Sequence, residues 1–118
     1  MKISEFKKKK SFQDRINESY QIILKHPDKR PIICEKLQIQ PDLPDLDKNK
    51  YLVSHNFTLG QFMFTIKERM HLKPEEALFL FINGHIITGS STIGTVYNNL
   101  KDADGFLYIQ YAKENTFG

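Results

Sequence analysis

The fold of this chain is decided by one late stretch, Gly105-Phe106-Leu107-Tyr108-Ile109-Gln110-Tyr111-Ala112. Its aromatic and branched residues predict a β-strand over residues 106–111. Side chains alternate along a strand, so Phe106 and Tyr108 lie on one face, whereas Leu107, Ile109 and Tyr111 lie on the other. Because both faces are apolar, we expect this strand to lie in the middle of a sheet that is covered on both sides.

Upstream of this strand, helix and strand signals follow one another. The predicted strands cover residues 29–36, 50–53 and 77–82, and an Asn83-Gly84 hairpin turn follows the last of them. Residues able to cap a helix stand at Ser11, Thr58 and Ser91-Thr92, and a short helix around Ile3 and Phe6 precedes the first cap. After Ser11, the apolar residues at helical spacing are Ile16, Tyr20, Ile23 and Leu24, with Glu18 and Ile22 on a neighbouring stripe.

The order of these elements predicts an α+β fold. Two helices are followed by two strands, a helix, a strand, a short helix and the final strand. One compact helix is available for one face of the four-stranded sheet, so the N-terminal pair must cover the other. At 118 residues the chain is the size of one compact domain. Within it we expect residues 1–26 to form a helical subdomain on the sheet, residues 27–112 the core, and residues 113–118 a flexible tail.

Charge is distributed unevenly along the chain. Residues 1–30 hold nine Lys or Arg and four Asp or Glu, a net charge of +5, so the remainder carries −2 of the total of +3. The basic run from Lys7 to Lys10 suits anionic lipid or an acidic protein surface, or simply solvates a helix end. It has no interleaved aromatic residues and no recognition motif, so we expect no nucleic-acid partner.

Compartment and redox chemistry follow from two further features. No apolar run is long enough to span a bilayer, and the N-terminus lacks the apolar core of a signal peptide, so we expect a cytoplasmic protein. Cys34 is the only cysteine. It stands in an apolar run, which predicts a small buried side chain rather than a nucleophile.

Catalytic and metal-binding patterns are not found. The stretch 89–94 is rich in Gly and Ser but has no lysine to bind a phosphate chain. Asp45, Asp47 and Asn49 match the start of a calcium loop, but Lys50 replaces the required glycine and Asn56 the final glutamate. The four histidines have no metal-ligand spacing. We therefore predict recognition rather than catalysis, with no metal and no cofactor.

Several blocks of sequence resemble one protein family. They are PDKRPIICEK (27–36), DLDKNKYLV (45–53), TLGQF (58–62), ALFLFIN (77–83) and FLYI (106–109), together with Phe117 before the terminal Gly118. In this order they resemble the autophagy ubiquitin-like modifiers, the GABARAP and microtubule-associated light chain 3 group. The resemblance implies a ubiquitin-like β-grasp fold with a four-stranded mixed sheet and two additional N-terminal helices.

The resemblance also implies a function for Gly118. In the family this glycine is activated with ATP, passed through activating and conjugating enzymes, and joined to phosphatidylethanolamine, so that a cytoplasmic protein becomes bound to the autophagosome membrane. A cysteine protease processes and delipidates such proteins. Either the chain is encoded ready to use at Gly118 or a longer precursor is cut there. The alternative function is an unconjugated ubiquitin-like adaptor in vesicle trafficking or microtubule binding.

Finally, the resemblance implies a site for aromatic-x-x-aliphatic peptides of cargo receptors. The edge strand would pair with the peptide backbone while two pockets take its side chains. The aromatic pocket would comprise Glu18, Ile22, Pro31, Ile33, Lys50, Leu52 and Phe106. The aliphatic pocket would comprise Tyr51, Val53, Ser54, Phe57, Phe62 and Thr65, and Lys29 and Lys48 would meet acidic residues that flank the motif. Thr65 and Ser54 depart from the family's usual aliphatic residue and proline, which makes the aliphatic pocket more polar.

Overall fold

The structure, a computed structural model, describes residues 4–37 and 43–113. It contains nine elements in this part of the chain. In order they are α1 (Glu5–Lys9), α2 (Phe12–Lys25), β1 (Lys29–Lys36), β2 (Lys50–Ser54), α3 (Leu59–Arg69), β3 (Phe79–Ile82), β4 (His85–Ile86), α4 (Ile93–Leu100) and β5 (Leu107–Ala112).

The strands form one mixed sheet in the order β2-β1-β5-β3-β4. The last strand in the sequence, β5, lies at the centre, as its two apolar faces predict. It pairs with β1 in parallel and with β3 in antiparallel orientation. The predicted count of four strands is wrong by one. Two residues after the Asn83-Gly84 turn, His85 and Ile86, pair back onto β3. So short a strand leaves no periodic pattern in the sequence.

Helices cover both faces of the sheet. On one face, α3 and α4 contribute Phe62, Ile66 and Val96 to the larger core, where they meet Ile32 and Leu107 from β1 and β5. On the opposite face, Phe6 of α1 and Ile22 of α2 pack on Ile33 and Phe106. The alternation predicted for these strands is confirmed, because neighbouring residues enter different clusters.

Local capping signals are also confirmed. The Thr58 side chain accepts a hydrogen bond from the Gln61 N–H, and the Gln61 side chain accepts one from the Thr58 N–H, which completes a capping box at the start of α3. Asn83 and Gly84 have φ angles of 52° and 79°. Positive values at both positions are those of the tight hairpin turn that the Asn-Gly pair predicts.

A buried polar network fixes how α2 sits on the sheet. Arg15 Nε donates to Asp104 Oδ2 at 2.8 Å, and the Ser19 hydroxyl donates to the Asp104 carbonyl oxygen at 2.6 Å. Tyr108 donates its hydroxyl to the same Asp104 carboxylate at 2.5 Å. The spacing of apolar residues correctly predicts a helix here, but it does not mark the buried side. Tyr20 and Leu24 are exposed, and the sheet-facing residues include Arg15 and Ser19.

Candidate functional site

Strand β2 forms one edge of the sheet and is paired only on its β1 side within the described residues. In the β1–β2 pairing, Leu52 of β2 lies opposite Pro31 of β1, which has no N–H to donate. Antiparallel pairs that exchange two hydrogen bonds alternate with pairs that exchange none, so Pro31 and Leu52 must be a pair of the second kind. The Cys34 N–H donates to the Asn49 carbonyl at 2.7 Å, which agrees with that alternation.

The same alternation decides which backbone groups are available at this edge. Lys50 lies two residues from Leu52 and therefore also belongs to a pair without hydrogen bonds. The N–H and C=O groups of Lys50 and Leu52 point away from β1, whereas those of Tyr51 and Val53 are directed toward it. The edge thus offers the donors and acceptors that an added strand requires.

The residues predicted for the aromatic pocket are brought together on one side of β2. Ile33 and Phe106 are completely buried, and Ile22 packs against the cluster that they form with Phe6. The ring of Phe6 covers Phe106 edge-on, with centroids 5.0 Å apart. Leu52 remains 39% exposed at the rim. In this structure the predicted pocket residues therefore form a packed cluster whose inner part is covered by α1.

An ionic bridge connects α2 with the edge strand at the same place. Glu18 accepts hydrogen bonds from Lys10 Nζ, at 2.5 Å, and from Lys50 Nζ. Burial raises the pKa of Glu18, but the hydrogen bonds from these two lysines outweigh that effect and hold it below its ordinary value of 4.5. Both ammonium groups also lie over the Phe6 ring, 5.6 and 5.5 Å from its centroid. Glu18 and Lys50, predicted as pocket residues, thus form a charged rim above the cluster.

Of the residues predicted for the aliphatic pocket, Tyr51 and Val53 lie on the other side of β2 with Phe62 of α3. Ser54 alternates with Val53 and therefore shares the face of Leu52. Tyr51 packs edge-on against Phe62 with centroids 5.7 Å apart, and Val53 joins the same core. Burial raises the pKa of Tyr51 to about 12, so its hydroxyl is protonated and donates to the Lys48 carbonyl at 2.9 Å. Phe57 is exposed at the end of the strand, close in sequence to the partly buried Ser54.

Thr65, the last residue predicted for the aliphatic pocket, lies on α3 with its hydroxyl hydrogen-bonded. Its hydroxyl donates to the Gln61 carbonyl of the preceding helical turn at 3.2 Å. Because that hydroxyl already donates a hydrogen bond within the helix, it is less available to a ligand, and Thr65 makes its surroundings less polar than a free threonine hydroxyl would.

The two lysines predicted to meet residues that flank the peptide motif lie beside the edge strand, whereas the terminal glycine is not described. Lys29 lies opposite Ser54 in the β1–β2 register. Lys48 precedes β2, and its Nζ lies 4.9 Å from the centroid of the Tyr51 ring. Both cations are therefore next to the edge strand, one near each end. Gly118, the predicted conjugation residue, lies outside the described residues.

Comparisons with known proteins identify the family of the chain. The family model described as "Autophagy protein Atg8 ubiquitin like" matches residues 14–118. The chain belongs to the Atg8 family. Autophagy-related protein 8 of Mycosarcoma maydis is 44% identical over 115 residues, which cover 98% of this chain and 97% of that protein. Autophagy-related protein 8h of Arabidopsis thaliana is 43% identical over 116 residues, with 98% and 97% covered.

A solved structure agrees with the Atg8 assignment. The crystal structure of Trypanosoma brucei ATG8 matches with a TM-score of 0.88 and 37% identity over 94% of this chain and 95% of that one. The resemblance to the autophagy ubiquitin-like modifiers and the predicted ubiquitin-like fold are thereby confirmed. The chain is an autophagy-related, ubiquitin-like protein. Among the described residues of this Atg8-family chain, no helix is both long and apolar enough to cross a bilayer.

Sequence reasoning missed two residues of the candidate site. The sequence predicts Phe6 only as an anchor of the first helix, which it is, and Lys10 only as part of a basic run. The structure places Phe6 on Phe106 and Lys10 on Glu18. Their separation in sequence from β2 hides these contacts, and the single available signal is an aromatic residue in an otherwise polar helix.

Cys34 behaves as predicted. Its side chain is buried in the core between β1 and the helices α3 and α4. Burial raises the pKa of the thiol, so it stays protonated and is a poor nucleophile.

Proposed function

We propose that this Atg8-family protein is a modifier that is conjugated through Gly118 to phosphatidylethanolamine and that recruits cargo receptors to the autophagosome membrane. Family membership over nearly the whole chain supports the conjugation. In this proposal the chain is the substrate of the activating and conjugating enzymes and of a cysteine protease, and not itself a catalyst. The buried, protonated Cys34 is consistent with that role.

The single observation that carries peptide binding is the free edge of β2. A strand that pairs with Lys50 and Leu52 presents its own side chains alternately on the two faces of the sheet. Residues three apart in such a strand lie on opposite faces. The aromatic-x-x-aliphatic spacing therefore matches two pockets that flank β2 on opposite sides, the Leu52 and Ile33 side for the aromatic residue and the Tyr51 and Phe62 side for the aliphatic one.

Binding of the aromatic side chain requires a local rearrangement. Ile33 and Phe106 have no exposed surface, because Phe6 and the Lys10–Glu18–Lys50 bridge lie above them. Acidic residues beside the motif would compete with Glu18 for Lys50 and meet Lys48 at the rim. Charges in such positions speed the encounter more than they strengthen the final complex.

Conjugation is tested with the full chain, ATP, the family's activating and conjugating enzymes, and liposomes that contain phosphatidylethanolamine. The complete protein should form a lipid adduct, and the variant that lacks Gly118 should form none. An equal yield from both proteins would contradict conjugation at this residue.

Peptide binding is tested in parallel by titration with one aromatic-x-x-aliphatic peptide. Leu52→Ala should weaken the complex about tenfold, since a partly exposed aliphatic contact worth about 1.4 kcal/mol is lost. The Leu52→Ala variant should still be conjugated normally, whereas deletion of Gly118 should leave the affinity for the peptide unchanged. This matched pair separates the two activities. An unconjugated adaptor would instead retain its cellular function without Gly118.

A further inference from the structure

The outward face of α2 is apolar. Phe12, Tyr20 and Leu24 follow one another at multiples of four residues and are 48%, 61% and 58% exposed. Ile16 completes the series and is partly buried. Residues four apart lie along one side of a helix, so these four form a continuous ridge, which we name the α2 ridge. Large apolar side chains exposed next to one another mark a binding surface more often than isolated ones do.

The α2 ridge cannot turn inward to join the core. The opposite side of the helix is fixed by Arg15 and Ser19, which are buried against Asp104. Rotation of the helix to bury Tyr20 would break both contacts and leave a buried carboxylate without its cation. The exposure of the ridge is therefore a property of the docked helix.

The surroundings of the ridge are uncharged in the middle and basic at both ends. Gln13, Asn17 and Gln21 are the exposed neighbours of Tyr20, and Gln13 donates to Asn17 at 3.0 Å. Lys8 and Lys9 are exposed just before the helix, and Lys25 is exposed at its last residue. A ligand that covers Tyr20 thus meets uncharged side chains around it and cations at either end of the ridge, where Arg15 also lies with its guanidinium carbon 5.6 Å from the centroid of the Phe12 ring.

We infer that the α2 ridge binds the surface of an anionic lipid bilayer. Helices that lie in a membrane interface combine aromatic and aliphatic residues on one face with lysines that reach the headgroups. The ridge is convex, and a bilayer adapts to a convex surface, whereas a rigid protein would need a matching groove. A second copy of the chain is disfavoured, because either orientation of two α2 helices brings the basic ends of both together. This binding requires no conjugation, so it is independent of the proposed function.

The first test measures flotation of the unconjugated full chain with vesicles, without ATP or enzymes. Vesicles of equal parts phosphatidylserine and phosphatidylcholine should bind the protein, and vesicles of phosphatidylcholine alone should bind it much less. The double variant Tyr20→Gln with Leu24→Gln should bind the mixed vesicles about tenfold more weakly, since two side chains no longer enter the interface. The matched control is Phe64→Gln on α3, because Phe64 is also 61% exposed but lies beyond the opposite face of the sheet.

The results decide the inference directly. Weaker binding of the double variant and unchanged binding of Phe64→Gln support it. Failure of the unaltered protein to bind mixed vesicles overturns it and leaves the ridge for a protein partner. Equal binding by the double variant also overturns it, because attraction would then come from the lysines alone.

A second measurement reports on position rather than affinity. The chain has no tryptophan, so Tyr20→Trp and Phe64→Trp each supply one fluorescent probe. Mixed vesicles should shift the emission of the probe at position 20 to shorter wavelength and leave that at position 64 unchanged. Equal shifts at both positions, or a shift at position 64 alone, contradict the inference.

Discussion

At the scale of single residues, Asp104 joins α2 to the sheet through a set of buried hydrogen bonds. Its carboxylate accepts from Arg15 Nε at 2.8 Å, the Tyr108 hydroxyl at 2.5 Å and the Phe106 N–H at 2.9 Å. Asp104→Asn keeps the shape but leaves the Arg15 guanidinium buried without its anion. We expect the free energy of unfolding, measured with urea, to fall by about 3–5 kcal/mol.

The control for this prediction is the exposed pair of Asp47 and Arg69, whose shortest N–O distance is 2.6 Å. Because water screens both partners, Asp47→Asn should leave the free energy of unfolding nearly unchanged. Similar losses in both variants would show that burial does not set the importance of the Asp104 contact.

At the scale of elements, Gly105 decides how closely α2 approaches the start of β5. Its φ is +88°, and a Cβ built there would lie 2.3 Å from Ser19 Oγ. Gly84 has a similar φ of +79° but open space around that position. Gly84→Ala should cost roughly 1–2 kcal/mol of conformational energy alone. Gly105→Ala should cost about 2 kcal/mol more, since Ser19 must move and lose its hydrogen bond. Equal urea midpoints for the two variants would contradict this account of the junction.

At the same scale, local signals in the helices and turns could be predicted from the sequence, whereas contacts between distant residues could not. The capping box of Thr58 and Gln61 and the turn at Asn83-Gly84 are local signals, and both are confirmed. The buried side of α2 was not predictable, because Arg15 finds its partner 89 residues away in Asp104. No local pattern of apolar residues could show that a charged pair outweighs Tyr20 in orienting this helix.

At the scale of the whole molecule, the sheet has helices on both faces and β2 at one edge. The counting of faces predicted this arrangement from the sequence, and the alternation along β1 and β5 correctly predicted which of their residues face each layer of helices. The cover that Phe6 forms over Phe106 could not be predicted, since it depends on where a five-residue helix docks. Whether peptides bind here depends on the free edge of β2.

Hydrogen exchange of the backbone amides of β2 tests that claim most directly. In the free protein, the N–H groups of Tyr51 and Val53 should be protected, and those of Lys50 and Leu52 should exchange rapidly because they face away from β1. Addition of an aromatic-x-x-aliphatic peptide should protect Leu52 and Lys50 and leave the other two unchanged. If the peptide binds and the amides of Lys50 and Leu52 still exchange as in the free protein, strand addition at β2 is wrong.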